Sequence, residues 1–403
     1  MSLFAVDAKW KHSAILWASK GFYIFLFAFL LAPSRDGLQI IYLLAFFLPV
    51  SLLLLSSRFD FYAYGGGMTL AALSYAAFST ISTLWGAHPK EFIFFVLQWW
   101  VLATWLIGVC LIFLNTEINI EKIIFWLVVI GVLVIASTIL YFFLVIDSSF
   151  PMRNRLSGWN AFRNANEIGS FCGVIALLAL IMALRSSSLI SATKFYTLAL
   201  FACGGLLISL SRGAILALII SVPFIIALIR PPLKIWLPPV ILCVVSVLLV
   251  LSLTDIFTFY MSGRAEGLGG RSAIWDEIIF RSQDNLLAGI GLSKDSTIFL
   301  SNGEEFNHAH SAWLDILYRT GVIGFLLVLV HLATVLRKFS SAKELLPLYA
   351  WLIYGCLCGF FDGRTLFWEI GAKWFFYWIP AGLIAAIVTK QMITLKKETL
   401  PNS

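Results

Sequence analysis

Apolar residues recur along this chain in runs of about 17 to 25, the length a helix needs to cross roughly 30 Å of hydrocarbon. Lipid offers backbone N–H and C=O groups no partners, so runs of this kind close their hydrogen bonds internally, as helices. The short alternating segments of an outer-membrane barrel are absent. Of the 403 residues, 61% are hydrophobic and 12% charged, whereas soluble domains carry about 25% charged residues. A soluble globular protein is excluded. The expected fold is all-α, a polytopic membrane helix bundle forming a single transmembrane domain over residues 1–403.

Twelve spans are predicted, over about 13–33, 37–55, 67–86, 92–114, 123–146, 168–185, 195–210, 213–230, 235–254, 311–336, 345–361 and 373–392. Spans seven and eight are divided only by Ser211 and Arg212, and their combined length, near twice the bilayer thickness, predicts a tight reversal between them. The first run follows Asp7, Lys9, Lys11 and His12 and lacks a small-residue cleavage pattern after it, so it reads as a retained span and not as a signal peptide. Cys110, Cys172, Cys203, Cys243, Cys356 and Cys358 all fall inside predicted spans, where they act as small apolar residues. They suggest no disulfide or metal framework.

Twelve spans put both termini on one face, and that face holds more than half of the 28 basic residues, including Lys9, Lys11, Arg58, Lys194, Lys343 and Lys396. By the positive-inside rule it is cytoplasmic. The basic residues form no stripe and no aromatic-interleaved patch, so the net charge of +7 reflects membrane topology and not nucleic-acid binding. The opposite face nevertheless keeps Arg153, Arg155, Arg163, Arg212, Arg264, Arg271, Arg281 and Arg364. Arginines on the face that usually sheds positive charge point to an anionic ligand.

Two loops on that outer face are long, about 147–167 and about 255–310, and loops of such length in a compact bundle are usually functional. The second predicts an amphipathic helix starting near Gly270, with Ile274 and Ile278 aligned beside Trp275 and Ile279, lying along the membrane surface with Arg271 at its head. The loop ends in Asn307-His308-Ala309-His310-Ser311, just before span ten. Histidines at a helix N-terminus are kept neutral by the dipole and suit a general base, while capping or packing is the plain alternative. Arg212, a charge between two apolar runs, is either functional or a snorkelling helix-end residue. Asp362 and Arg364 end span eleven on the outer face, as site residues or as partners of each other. Asp315 and Arg319 are spaced for an i,i+4 ion pair. Lys90, Arg155 and Arg163 are recommended by outer-face position alone.

The chain contains no Walker A loop, no dinucleotide glycine fingerprint, no HExxH and no DxD-type acidic pair. An already activated substrate is therefore expected. A lipid diphosphate sugar fits, because arginines can stabilise the charge that grows on its leaving diphosphate.

Leu210-Ser211-Arg212-Gly213, Gly270-Arg271-Ser272-Ala273, His308-Ala309-His310-Ser311 and Gly359-Phe360-Phe361-Asp362 occur in that order. With twelve spans and a long loop before the tenth, this pattern resembles the O-antigen ligase family of bacterial inner membranes, which shares a domain with O-antigen polymerases. The resemblance implies an inverting glycosyltransferase of the membrane-embedded GT-C type that needs no metal and no cofactor. It would move undecaprenyl-diphosphate-linked O-antigen glycan onto lipid A-core oligosaccharide at the periplasmic face. Arg212 and Arg271 match arginines that hold the diphosphate, His310 matches the base that deprotonates the acceptor hydroxyl, and Asp362 matches a functional acid. His308, Arg364, Arg155, Arg163 and Lys90 are expected to contact substrate. Ser311 stands where the family pattern commonly has Asn. A polymerase using the same donor is the nearest alternative, and a polytopic transporter the alternative from another class. The HxH element before span ten favours the ligase. Against the transporter, few charges lie within the spans, and no pair of interrupted helices in matching halves marks a midplane site.

Overall fold

The computed structural model describes residues 3–56, 65–86, 90–146, 155–232, 271–295, 297–300, 305–339 and 343–399, with Leu237 and Gly303. Apart from Leu237, the predicted ninth span and residues 255–270 of the long loop lie outside this set. Eight long helices come first: α1 (Leu3–Leu31), α2 (Arg35–Ser56), α3 (Gly66–Ser82), α4 (Glu91–Asn115), α5 (Ile120–Tyr141), α6 (Ala165–Arg185), α7 (Leu189–Ile208) and α8 (Arg212–Ile229). The short α9 (Arg271–Ser282) follows, then α10 (Ala312–Leu336), α11 (Leu346–Phe361) and α12 (Trp374–Lys396). Ten of these are long and apolar enough to span a bilayer, and α11 is a shorter apolar helix. Eleven of the twelve predicted spans thus have a helix in place. A two-stranded ribbon, Ile298–Phe299 with Glu305–Phe306, is a minor feature of the long loop.

The helices begin where short polar residues precede apolar runs. Asn164 caps α6 by accepting from the amides of Asn166 and Glu167, and Asn119, Ser188 and Ser34 cap α5, α7 and α2 in the same way. α6 is the hub, packed on α5, α7, α8 and α11, while α10 lies on α3 and α12 on α4. Aromatic residues fill the adjoining core. Trp105 donates to the Trp378 carbonyl at 2.9 Å, and Tyr42 to the Val101 carbonyl at 2.8 Å. Pairing of these buried donors is what makes Trp and Tyr tolerable in a dry interior. Outward, the spans are apolar as well: Leu144 is 79% exposed and Leu55 77%. Such surfaces suit lipid and not water.

Where an uninterrupted tenth span is expected, α10 is broken. Gly321 stands at φ 64°, a left-handed conformation that glycine adopts without steric cost. The break frees backbone groups on both sides, and the loop after α9 takes them up. The amides of Ile290 and Gly291 donate to the carbonyls of Tyr318 and Arg319, both at 3.0 Å. Those of Val322 and Ile323 donate to Leu286 and Leu287 at 2.9 and 3.1 Å. The same loop rests on the end of α3, where Ser82 Oγ accepts the Leu292 amide and Ser293 donates to the Thr83 carbonyl. Buried backbone groups need such partners, so loop and broken helix require each other.

The expected Asp315–Arg319 pair is present at 3.0 Å and almost fully buried, and it reaches further than one helix turn. Arg319 also donates to the carbonyls of Leu292 and Lys294, and Asp315 accepts the Thr365 amide at 2.8 Å. One ion pair thus fastens α10 to the loop on one side and to the α11–α12 connection on the other.

Candidate active site

Four segments meet in one cleft. It is lined by Arg155, Asn166, Ser170, Leu210, Ser211, Arg212, Gly213, Arg271, Cys358 and Asp362, among others, and is only partly enclosed. Arg212, Arg271 and Asp362, distant in sequence, share these walls.

Arg212 is the first residue of α8, and the chain reaches it through Leu210 at φ 52°. A non-glycine residue in this region is strained and persists only where its surroundings hold it. Arg155 supplies that hold, donating to the carbonyls of Ser209 and Leu210 at 3.1 and 3.2 Å. Its other partner, the Asn166 side chain at 2.8 Å, also accepts from Ser211 at 3.4 Å. Gly213 lets α8 approach α11 closely, since a side chain there would strike Phe361.

Arg271 heads α9, whose register is the predicted one. Ile274 and Ile278 are buried, whereas Ile279 is exposed. They pack with Ile290, Ile298, Ala309 and Tyr318 in a small separate core. Trp275 donates to the Ala309 carbonyl at 3.1 Å, which ties α9 to the two-histidine loop. Both arginines therefore stand at helix N-termini, where aligned amides add to the attraction for an anion.

His310 precedes α10 with φ 49°, and its amide donates to His308 Nδ1 at 3.1 Å. The two rings lie 4.0 Å apart. Burial and the neighbouring His310 lower the His308 pKa to about 4, so His308 is a neutral acceptor that props the His310 backbone. Ser311 caps α10, accepting from the Leu314 amide at 3.4 Å. Serine and asparagine serve equally at such a position, which accounts for the departure from the family pattern.

Asp362 closes α11, and its Oδ1 lies 3.5 Å from His310 Nδ1, in ion-pair range but too far for a hydrogen bond, so the buried Nδ1 makes none here. Asp362 is thus turned to His310, and no ion pair with Arg364, the alternative that sequence spacing allowed, is present among the described residues. Burial pushes the Asp362 carboxyl up, but the His310 contact and the Lys373 charge outweigh it and hold the group below the usual carboxylate range.

Residues 197–329 match the family model described as O-antigen ligase. Over this stretch, about a third of its length, the chain is similar to that family. No curated protein matches the chain. The matched stretch holds Arg212 and Arg271 of the cleft, with Arg155 and Asp362 completing it from outside those limits; His308 and His310 also fall in the stretch but are not among the cleft's lining residues. Arg163, Arg364 and Lys90 are exposed and are not among the cleft's lining residues. Sequence reading passed over Asn166, Ser170 and Lys373. The usable sign for Lys373 was a lone cation at the start of the last span.

Proposed function

We propose that the chain is an O-antigen ligase, transferring a glycan from an undecaprenyl-diphosphate carrier to a hydroxyl of lipid A-core oligosaccharide. The supporting observation is the convergence of two arginines at helix N-termini with Asp362 in one cleft, where His310 stands 3.5 Å behind the Asp362 carboxylate. On substrate binding Asp362, ionised, closes its 3.5 Å gap to His310 Nδ1, accepts that N–H and fixes the tautomer with Nε2 as the proton acceptor. Nε2 takes the acceptor hydroxyl proton as that oxygen bonds to the anomeric carbon. The bond from that carbon to the diphosphate oxygen breaks in the same step, and the configuration inverts. The departing diphosphate gains one negative charge, which Arg212 and Arg271 neutralise in bidentate contacts. Arg155 supports the turn that aims Arg212.

A gel of lipopolysaccharide from a deletion strain separates this reading from the polymerase one. A ligase loses capped core while lipid-linked polymer accumulates, whereas a polymerase leaves core bearing a single repeat unit. In purified protein, His310→Ala should lose most of the about 10² to 10⁴-fold that a positioned base contributes, and His308→Ala should keep substantial activity. The reverse order would move the base to His308.

A further inference from the structure

We propose that Lys373 is a positioning residue of this site, seating the Asp362 turn so that its carboxylate faces His310. This rests on the functional reading above. Lys373 Nζ donates to the Asp362 main-chain carbonyl at 3.1 Å. The intervening Gly363 has φ 113°, a conformation that L side chains rarely adopt, and the Lys373 ammonium end packs directly against it. Lys373 also faces a second, smaller chamber that joins the cleft through Asn166, Ser170, Cys358 and Asp362. Its place argues against a solvated surface lysine. Lys373 stands at the head of α12, where the helix dipole disfavours a cation, and reaches back to the C-terminal end of α11, where the dipole and the last carbonyls favour one.

Several charges face Asp362. His308 and His310 come from the loop before α10, Lys373 from α12, Arg212 from α8 and Arg271 from α9, with Arg155 on the far wall and Arg364 just along the chain. Of these, His310 and Lys373 are in direct contact with residue 362. Removing the Lys373 charge leaves burial less opposed, so Asp362 takes up a proton at higher pH and releases His310 from its tautomer.

Transfer from lipid-linked glycan to lipid A-core is measured against pH for wild type, Lys373→Met, Lys373→Gln and Lys373→Arg, beside Asp362→Asn. Lys373→Met should lose about tenfold or more on the acid side, with the acid limb moved to higher pH. Lys373→Arg should restore both rate and limb. Lys373→Gln keeps a donor for the Asp362 carbonyl but not the charge, so it should shift the limb even if the Met variant fails to fold. If Asp362→Asn is inactive while the Gln variant keeps the wild-type limb, Lys373 has no such role and the reading of the site stands. Full activity in Asp362→Asn, or no transfer by wild type, overturns the site reading and this role together.

Discussion

Arg212 and Arg271 stand at helix ends in the cleft wall, and under the proposed mechanism truncating either removes a charge-assisted contact to the leaving group. Such contacts contribute about 1.5 to 3 kcal/mol each, and Arg212→Ala or Arg271→Ala should slow transfer about ten- to 150-fold while protein still reaches the membrane. Lysine at either position should rescue in part, because it keeps the charge and loses the bidentate geometry. Assay of purified variants checks this, and full activity in both alanine proteins would remove the diphosphate site. His308 carries a second consequence. Its folded pKa, about 4, lies below the ordinary 6.5, so between those values the unfolded chain binds the proton more readily. Stability contributed by neutral His308 is complete above pH 6.5 and declines as pH falls toward 4. Thermal melts in detergent should show His308→Asn losing less of its melting temperature than wild type across that window.

At the scale of elements, the broken α10 and the loop wedged into it are held by the Asp315–Arg319 pair. Both charges are buried, so deleting one leaves the other uncompensated. Arg319→Ala should cost about 3 to 5 kcal/mol and expose residues 286–294 to protease, although Arg319 is absent from the cleft lining. An unchanged melting temperature and digestion pattern would count against this brace. α9 belongs to the same unit. Ile278 is fully buried under it, and Ile278→Ala, a truncation of the kind that costs about 2 to 5 kcal/mol, should loosen Arg271 and lower transfer without affecting insertion of the spans.

For the whole molecule, the segments after α5, α7 and α11 and the head of α9 contribute to one cleft, which requires them to share an end of the bundle. We expect that end to face the periplasm and both termini to face the cytoplasm, because the lysine-bearing loops lie at the other end. Single cysteines at positions 295 and 343, treated with an impermeant reagent in intact spheroplasts, give the measurement. Labelling at 295 alone is expected, and labelling at 343 but not 295 would invert the topology.

What was legible beforehand was local. Run length specifies a span, a polar residue before it specifies a cap, and the i,i+4 spacing of Ile274 and Ile278 specifies which side of α9 is buried. Arg212, Arg271, His310 and Asp362 were legible as charged or titratable groups at span ends and through a family resemblance. Their meeting was not, because Asp362 lies 52 residues beyond His310 and 150 beyond Arg212, and only the packing of α6, α8, α10 and α11 brings those ends together. The break at Gly321 was hidden for the same reason. A lone glycine in an apolar run looks like any other in a membrane helix, and its partner is a loop backbone, whose hydrogen bonds do not depend on which side chains it carries. Lys373 was hidden by its address, the edge of a span, where a lysine ordinarily snorkels. The tertiary structure gave it Asp362 to hold.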